Sequence, residues 1–127
     1  MATPRFYPHV HYWDADAGIR WLTDVLGCTL GQGHRNEGGC VVHAELSLRG
    51  ATIMVSSAGI GREPFRSLEP GGRLFYCALD EVDELYEQVR AAGADVPIEI
   101  TDTSYGSRDF TVRDPEGNLW AFGTYGP

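Results

Sequence analysis

The stretch Asp80-Glu81-Val82-Asp83-Glu84-Leu85-Tyr86-Glu87-Gln88-Val89-Arg90-Ala91-Ala92-Gly93 reads as a helix with both ends marked. Val82, Leu85, Tyr86 and Val89 recur at helical spacing, Asp80 is placed to cap the start, and Gly93 to end it. An earlier stretch has the same plan: Asp14-Ala15-Asp16-Ala17-Gly18-Ile19-Arg20-Trp21-Leu22-Thr23-Asp24-Val25-Leu26-Gly27. Here Gly18, Trp21, Leu22, Val25 and Leu26 share one face, Asp14 or Asp16 can cap, and Gly27 can stop. In both, a glycine follows the opening aspartate by thirteen residues.

Working outward, strand-like segments flank each helix. Residues 5–13 precede the first helix, and 28–35, 40–49 and 51–57 follow it. In the segment 40–49, Val42, Ala44, Leu46 and Leu48 alternate with His43, Glu45 and Ser47, the signature of a half-buried strand. Residues 73–79 precede the second helix, and 96–101, 107–113 and 119–125 follow it, the last two separated by the turn Asp114-Pro115-Glu116-Gly117. The order is β-α-β-β-β twice, an internal duplication with a period near 66 residues. The expected fold is α+β: one domain over 1–127, with module one at about 5–57 and module two at about 73–125. The expected loop between them, 58–72, is rich in glycine and proline and long enough to suspect function.

Composition narrows the functions. The chain has 127 residues, 43% hydrophobic and 22% charged, as in ordinary folded proteins. No apolar run is long enough to span a bilayer and the N-terminal stretch carries no apolar signal, so a cytoplasmic protein without membrane association is expected. All ten basic residues are arginine, which removes Schiff-base lysine chemistry and the P-loop. The net charge of −8 argues against nucleic acid and would favour a cationic ligand. Cys28, Cys40 and Cys77 form no C-x-x-C pair and are expected to be buried, reduced thiols.

Three stretches resemble the vicinal-oxygen-chelate superfamily, which includes glyoxalase I, bleomycin-resistance proteins, fosfomycin-resistance enzymes and extradiol dioxygenases. They are Asp14 to Leu22 with Asp24-Val25-Leu26-Gly27, then Asp80 to Leu85 with Arg90-Ala91-Ala92-Gly93-Ala94, and last Arg108-Asp109-Phe110-Thr111-Val112-Arg113 running into Asp114-Pro115-Glu116-Gly117-Asn118. The resemblance implies two βαβββ modules forming a curled mixed sheet around a cleft, with helices outside, in a protein that usually forms a homodimer.

The enzymes of that superfamily hold a divalent metal with His, Glu or Gln from the first and last strands of each module. Counting from the shared motifs, those positions fall on Tyr7, Met54, Leu74 and Ala121, which make no ligand set for a first-row divalent metal. No metal and no cofactor are therefore expected. Strand parity then turns Met54, Leu74, Tyr76 and Ala121 toward the cleft and Ile53, Val55, Phe75, Cys77, Trp120 and Phe122 toward the core. His9 and His11 share a face with Tyr7, and His43 and Glu45 share the polar face of their strand; together they form either a polar ligand-contacting cluster, an acid/base pair or a metal site outside the family pattern. Arg108 could clamp an anion. Of the aromatic residues, Trp21 and Trp120 suit the core, and Tyr7, Tyr76 and Phe110 suit the cleft as stacking surfaces.

The sequence thus favours binding over catalysis, with no catalytic residue assigned. The expected protein resembles the metal-independent, bleomycin-resistance-like branch. It would sequester a small organic ligand, cationic or aromatic, through Tyr7, His9, His43, Glu45, Met54, Leu74, Tyr76, Arg108, Phe110 and Ala121. The alternatives are a metal-dependent lyase or oxidoreductase of glyoxalase or dioxygenase type, and a non-catalytic regulatory subunit.

Overall fold

A computed structural model describes residues 2–127. It contains two α-helices and eight strands in the order β1 (His9–Tyr12), α1 (Ala15–Asp24), β2 (Thr29–Arg35), β3 (Val41–Leu48), β4 (Ala51–Ser57), β5 (Leu74–Ala78), α2 (Val82–Ala91), β6 (Asp95–Asp102), β7 (Arg108–Arg113) and β8 (Leu119–Gly123), with one 3-10 turn, Phe65–Ser67, between β4 and β5. The strands form two separate four-stranded mixed sheets, ordered β1-β4-β3-β2 and β5-β8-β7-β6. In each, the first strand of the module runs parallel to the last, and the remaining pairs are antiparallel. The helix between the first and second strands supplies the crossover that parallel pairing requires. The α+β fold of two tandem βαβββ modules is present. Corresponding elements start 65 to 68 residues apart, in line with the expected period near 66.

Asp14 caps α1, its carboxylate accepting from the Ala17 N–H at 3.0 Å. The second helix differs from expectation. It begins at Val82 after Glu81, with no side-chain cap from Asp80. Gly27 and Gly93 both follow their helices at φ +74°, the left-handed conformation that ends a helix at little cost only for glycine. Gly18 sits inside α1 for another reason: a Cβ there would lie 2.5 Å from the Tyr12 ring.

Each helix packs on one face of its own sheet. The helix-bearing faces merge into one core that includes Tyr12, Leu22, Val55, Leu85, Phe110 and Phe122, all essentially inaccessible. Trp120 links the modules, its ring 6.4 Å from Trp21 and 4.5 Å from Phe75. Cys77 and Phe75 pack against this core as parity requires. Cys28 is buried, but Cys40, in the turn before β3, is exposed, contrary to the expectation for all three thiols. Pro97 lies on β6, an edge strand with register shifts, where a missing N–H is tolerated.

The turn after β7 joins the modules by polar contacts. Asp114 is 4% exposed and its carboxylate accepts five hydrogen bonds. Three come from side chains: Tyr12 at 2.8 Å, Asn118 at 2.9 Å and Trp120 at 3.1 Å. Two come from the N–H groups of Glu116 and Asn118. Two residues on, the Glu116 carboxylate accepts from the N–H groups of Trp13 at 2.7 Å and Asp14 at 2.8 Å, at the start of α1. No described helix is long and apolar enough to cross a membrane.

Candidate functional site

The face of the first sheet opposite the helix carries the polar cluster. His9 and His11 alternate with the buried Val10 and Tyr12, so both rings leave β1 on that face. Parallel pairing sets Met54 beside His9 and Ser56 beside His11. The Ser56 hydroxyl lies between the two rings, 3.0 Å from His9 Nε2 and 2.7 Å from His11 Nδ1. A hydroxyl has one proton, so with both rings neutral Ser56 donates to one imidazole and accepts from the other. On β3, His43 Nε2 donates to the Glu45 carboxylate at 3.0 Å, and the His43 ring stands edge-on to His9 at 6.3 Å.

Partial burial lowers the pKa of His9, and the neighbouring His11 and His43 lower it further. Burial likewise lowers His11, assisted by the Arg73 guanidinium. Both rings therefore sit on the neutral side at pH 7.

Beside this floor the loop 58–72 forms one wall of an open cavity of about 590 Å³. Ile60, Phe65 and Leu68 form its apolar wall, with His9, His11, Ser56 and Arg62 among its polar groups. Val42 also lines it, which corrects its expected place among the core residues. The β2–β3 pairing shifts register between His34 and Arg35, so Val41 takes the buried position instead. The sequence marks the loop as a whole but none of its residues, and it does not mark Ser56. The same parity that turns Met54 to this face turns Ser56 there also, so Ser56 was within reach of that reasoning.

The other expected site residues fall in three places. Tyr7 lies just ahead of β1 and shares with Tyr76 a second cavity, of about 810 Å³, at the seam between the modules. The Tyr76 hydroxyl donates to the Tyr125 carbonyl at 2.7 Å. Leu74 is 69% exposed at the start of β5, and Ala121 is the partner of Tyr76 across the β5–β8 pair. Phe110 and Arg108 do not belong with these. Phe110 alternates onto the helix side of β7 and is fully buried between Tyr86 and Phe122. Arg108 lies on that same side, paired with Asp83 of α2 at 2.9 Å and Asp102 at 3.1 Å. Odd and even residues of β7 cannot both face the cleft, and Thr111, opposite Ala121, takes that side.

A model of the Glyoxalase/Bleomycin resistance protein/Dioxygenase superfamily matches residues 10–122. The chain belongs to this superfamily. Among solved structures, TioX from Micromonospora sp. ML1 is similar to it at 31% identity and a TM-score of 0.77, over 95% of this chain and 98% of that one. A superfamily protein from Nocardioides is 23% identical with a TM-score of 0.69, over 97% of this chain and 84% of that one. A lactoylglutathione lyase from Agrobacterium tumefaciens is 19% identical with a TM-score of 0.69, over 96% and 93%. These last two show likeness of fold alone. No curated protein matches the chain significantly.

The metal carried by enzymes of the superfamily does not fit the residues present. Tyr7, Met54, Leu74 and Ala121 offer one phenol, one thioether and two hydrocarbon side chains, without the imidazole and carboxylate donors such ions take. Among the described residues no three His, Cys, Asp or Glu side chains converge in a way that could hold an ion. The facing nitrogens of His9 and His11 are engaged by Ser56. What this superfamily member presents is an open, largely apolar cavity over a hydrogen-bonding floor.

Proposed function

We propose that this chain is a metal-independent binding protein that sequesters a small organic molecule, in the manner of the bleomycin-resistance branch, and does no chemistry on it. The observation that carries this reading is the 590 Å³ cavity, which has the size and the mixed lining of a small-molecule site. The side chains at the superfamily's metal positions point the same way. Binding by mass action needs shape, apolar area and a few fixed polar groups, and the Ser56-linked histidines with the loop wall supply these.

The protein acts as a homodimer. Leu74, Tyr76, Ile98, Tyr105 and Tyr125 of module two are all at least 44% exposed, more large apolar surface than a solitary domain usually leaves in one region. A second copy would cover it.

A thermal-shift screen of natural-product antibiotics, run with and without a chelator, tests the function. A ligand at a hundredfold excess over its Kd adds about 2.7 kcal/mol, enough to raise Tm by several degrees. The expected hit survives chelation and is recovered chemically unchanged. A hit that requires nickel, zinc, iron or manganese, or that is turned over, overturns the reading. Light scattering across a dilution series tests the dimer, and a mass near 14.0 kDa throughout refutes it.

A further inference from the structure

The charge around the cavity runs against the charge of the whole chain. The protein carries eighteen acidic and ten basic residues. Five arginines are paired with carboxylates: Arg35, Arg49, Arg90, Arg108 and Arg113. Of the five others, none of which has a carboxylate partner among the described residues, Arg5 lies ahead of β1 and Arg20 on α1, while Arg62, Arg66 and Arg73 lie on or beside the loop that walls the cavity.

Arg62 lines the cavity itself, exposed, its guanidinium without a hydrogen-bond partner among the described residues. Arg73 is held by the Gly71 and Glu69 carbonyls and lies close enough to act on His11. No Asp or Glu lines the space. Of the nearby carboxylates, Glu45 holds His43 and Glu63 accepts from the Ser67 hydroxyl, while Glu37 and Glu69 are exposed side chains outside the lining. A ligand entering here meets hydrocarbon on the loop side, imidazole and hydroxyl groups on the sheet side, and one uncompensated guanidinium.

On the reading that this cavity is the binding site, we infer that its ligand is an organic acid: a flat apolar ring system against Ile60, Phe65 and Leu68, with a carboxylate or comparable anion at Arg62. A guanidinium presents paired N–H donors that match a carboxylate, and such a pair is stronger and more directional than a neutral hydrogen bond. A cationic ligand, which the net charge alone would suggest, would leave Arg62 facing a like charge. At ordinary ionic strength the distant acidic residues are screened within about 8 Å, so the local groups decide.

The test uses three probes of one shape: 2-naphthoate, 2-naphthamide and 2-naphthylmethylammonium, titrated calorimetrically at pH 7. Naphthoate is expected to bind at least tenfold more tightly than the amide, and the ammonium compound more weakly than either. Arg62→Gln should bring naphthoate to the affinity of the amide and leave the amide unchanged. Arg20→Gln removes the same charge from an exposed position on α1 and should change nothing. Phe65→Ala, on the loop, should weaken all three probes alike. Equal affinities for the three, or an Arg62→Gln variant that keeps the preference for the acid, overturn the acid assignment and leave the cavity as a binding site. Failure of all three to bind, or indifference to Phe65→Ala, overturns both.

Discussion

Replacing Asp114 by asparagine is the sharpest probe of what joins the two modules. The substitution preserves shape but not chemistry. In the parent, one carboxylate oxygen accepts from Tyr12, Asn118 and Trp120 side chains, and the other accepts from two backbone N–H groups. An amide offers one oxygen and one NH₂. Whichever way it turns, the NH₂ faces at least two donors. Hydrogen bonds to a charged acceptor contribute about 1.5–3 kcal/mol each, and buried donors left unpaired add to the loss. Losing two gives about 3–5 kcal/mol, a large share of the roughly 5–15 kcal/mol that holds a domain folded. The corresponding fall in Tm is roughly 10–20 °C for a chain of this size. Tyr12→Phe removes one donor and strands none, so it should cost about 1 kcal/mol. In the double variant the two losses should couple, because the amide then meets one donor fewer. Urea denaturation of the four proteins measures all of this. An Asp114→Asn variant within about 0.5 kcal/mol of the parent, at unchanged slope, refutes the reasoning, since that is the change expected of an ordinary surface substitution.

Three further outcomes are expected. Because the pKa values of His9 and His11 lie below the usual 6.5, the unfolded chain takes up protons first as pH falls, so stability declines through pH 6.5 and levels off below the folded values. His43 with Glu45 on β3, Arg73 beside His11, and Arg62 on the loop are the other titratable or charged groups at this face. The urea midpoint should fall between pH 7.5 and 5.5 more steeply for the parent than for a His9→Gln/His11→Gln variant, and equal slopes would contradict the assignment. Gly18→Ala should destabilise by about 1–3 kcal/mol in the same assay despite alanine's better helix propensity, because the new methyl meets the buried Tyr12 ring. Thiol titration of the folded protein should find Cys40 reacting quickly and Cys28 only after denaturation, since Cys28 is buried and its pKa is pushed up to about 12.

The elements were readable because each announces itself locally. The helices carry their own apolar stripes and glycine stops, and the strands their alternation. What failed were readings that depend on a single residue of register. Val42 was placed in the core because alternation assumes an unbroken strand, and the shift near Arg35 that moves Val41 inward has no signature in β3 itself. Phe110 was set in the cleft for its aromatic character, against the parity that its neighbours Val112 and Thr111 already imply. Arg108 has partners that lie 25 and 6 residues away on α2 and β6, pairings only the folded sheet brings together. The loop 58–72 carried turn residues but no sign of which way it folds. The cavity wall is therefore the part of the candidate site least legible in the sequence.

The Glu116 carboxylate that receives the Trp13 and Asp14 N–H groups, just ahead of α1, bears on how the chain can be made. Synthesis proceeds from the N-terminus, and domains generally fold as units during it. A nascent chain that has released only the first 72 residues holds α1 and its sheet but lacks both the carboxylate at the helix start and the partner of the Tyr12 hydroxyl. Those groups emerge only with the turn after β7, about 100 residues behind the segments they complete. The first half is thus finished by the second, and the repeated units, although alike in plan, have become obligate halves. A ribosome-arrest series should show protease resistance arriving in a single late step rather than one module at a time.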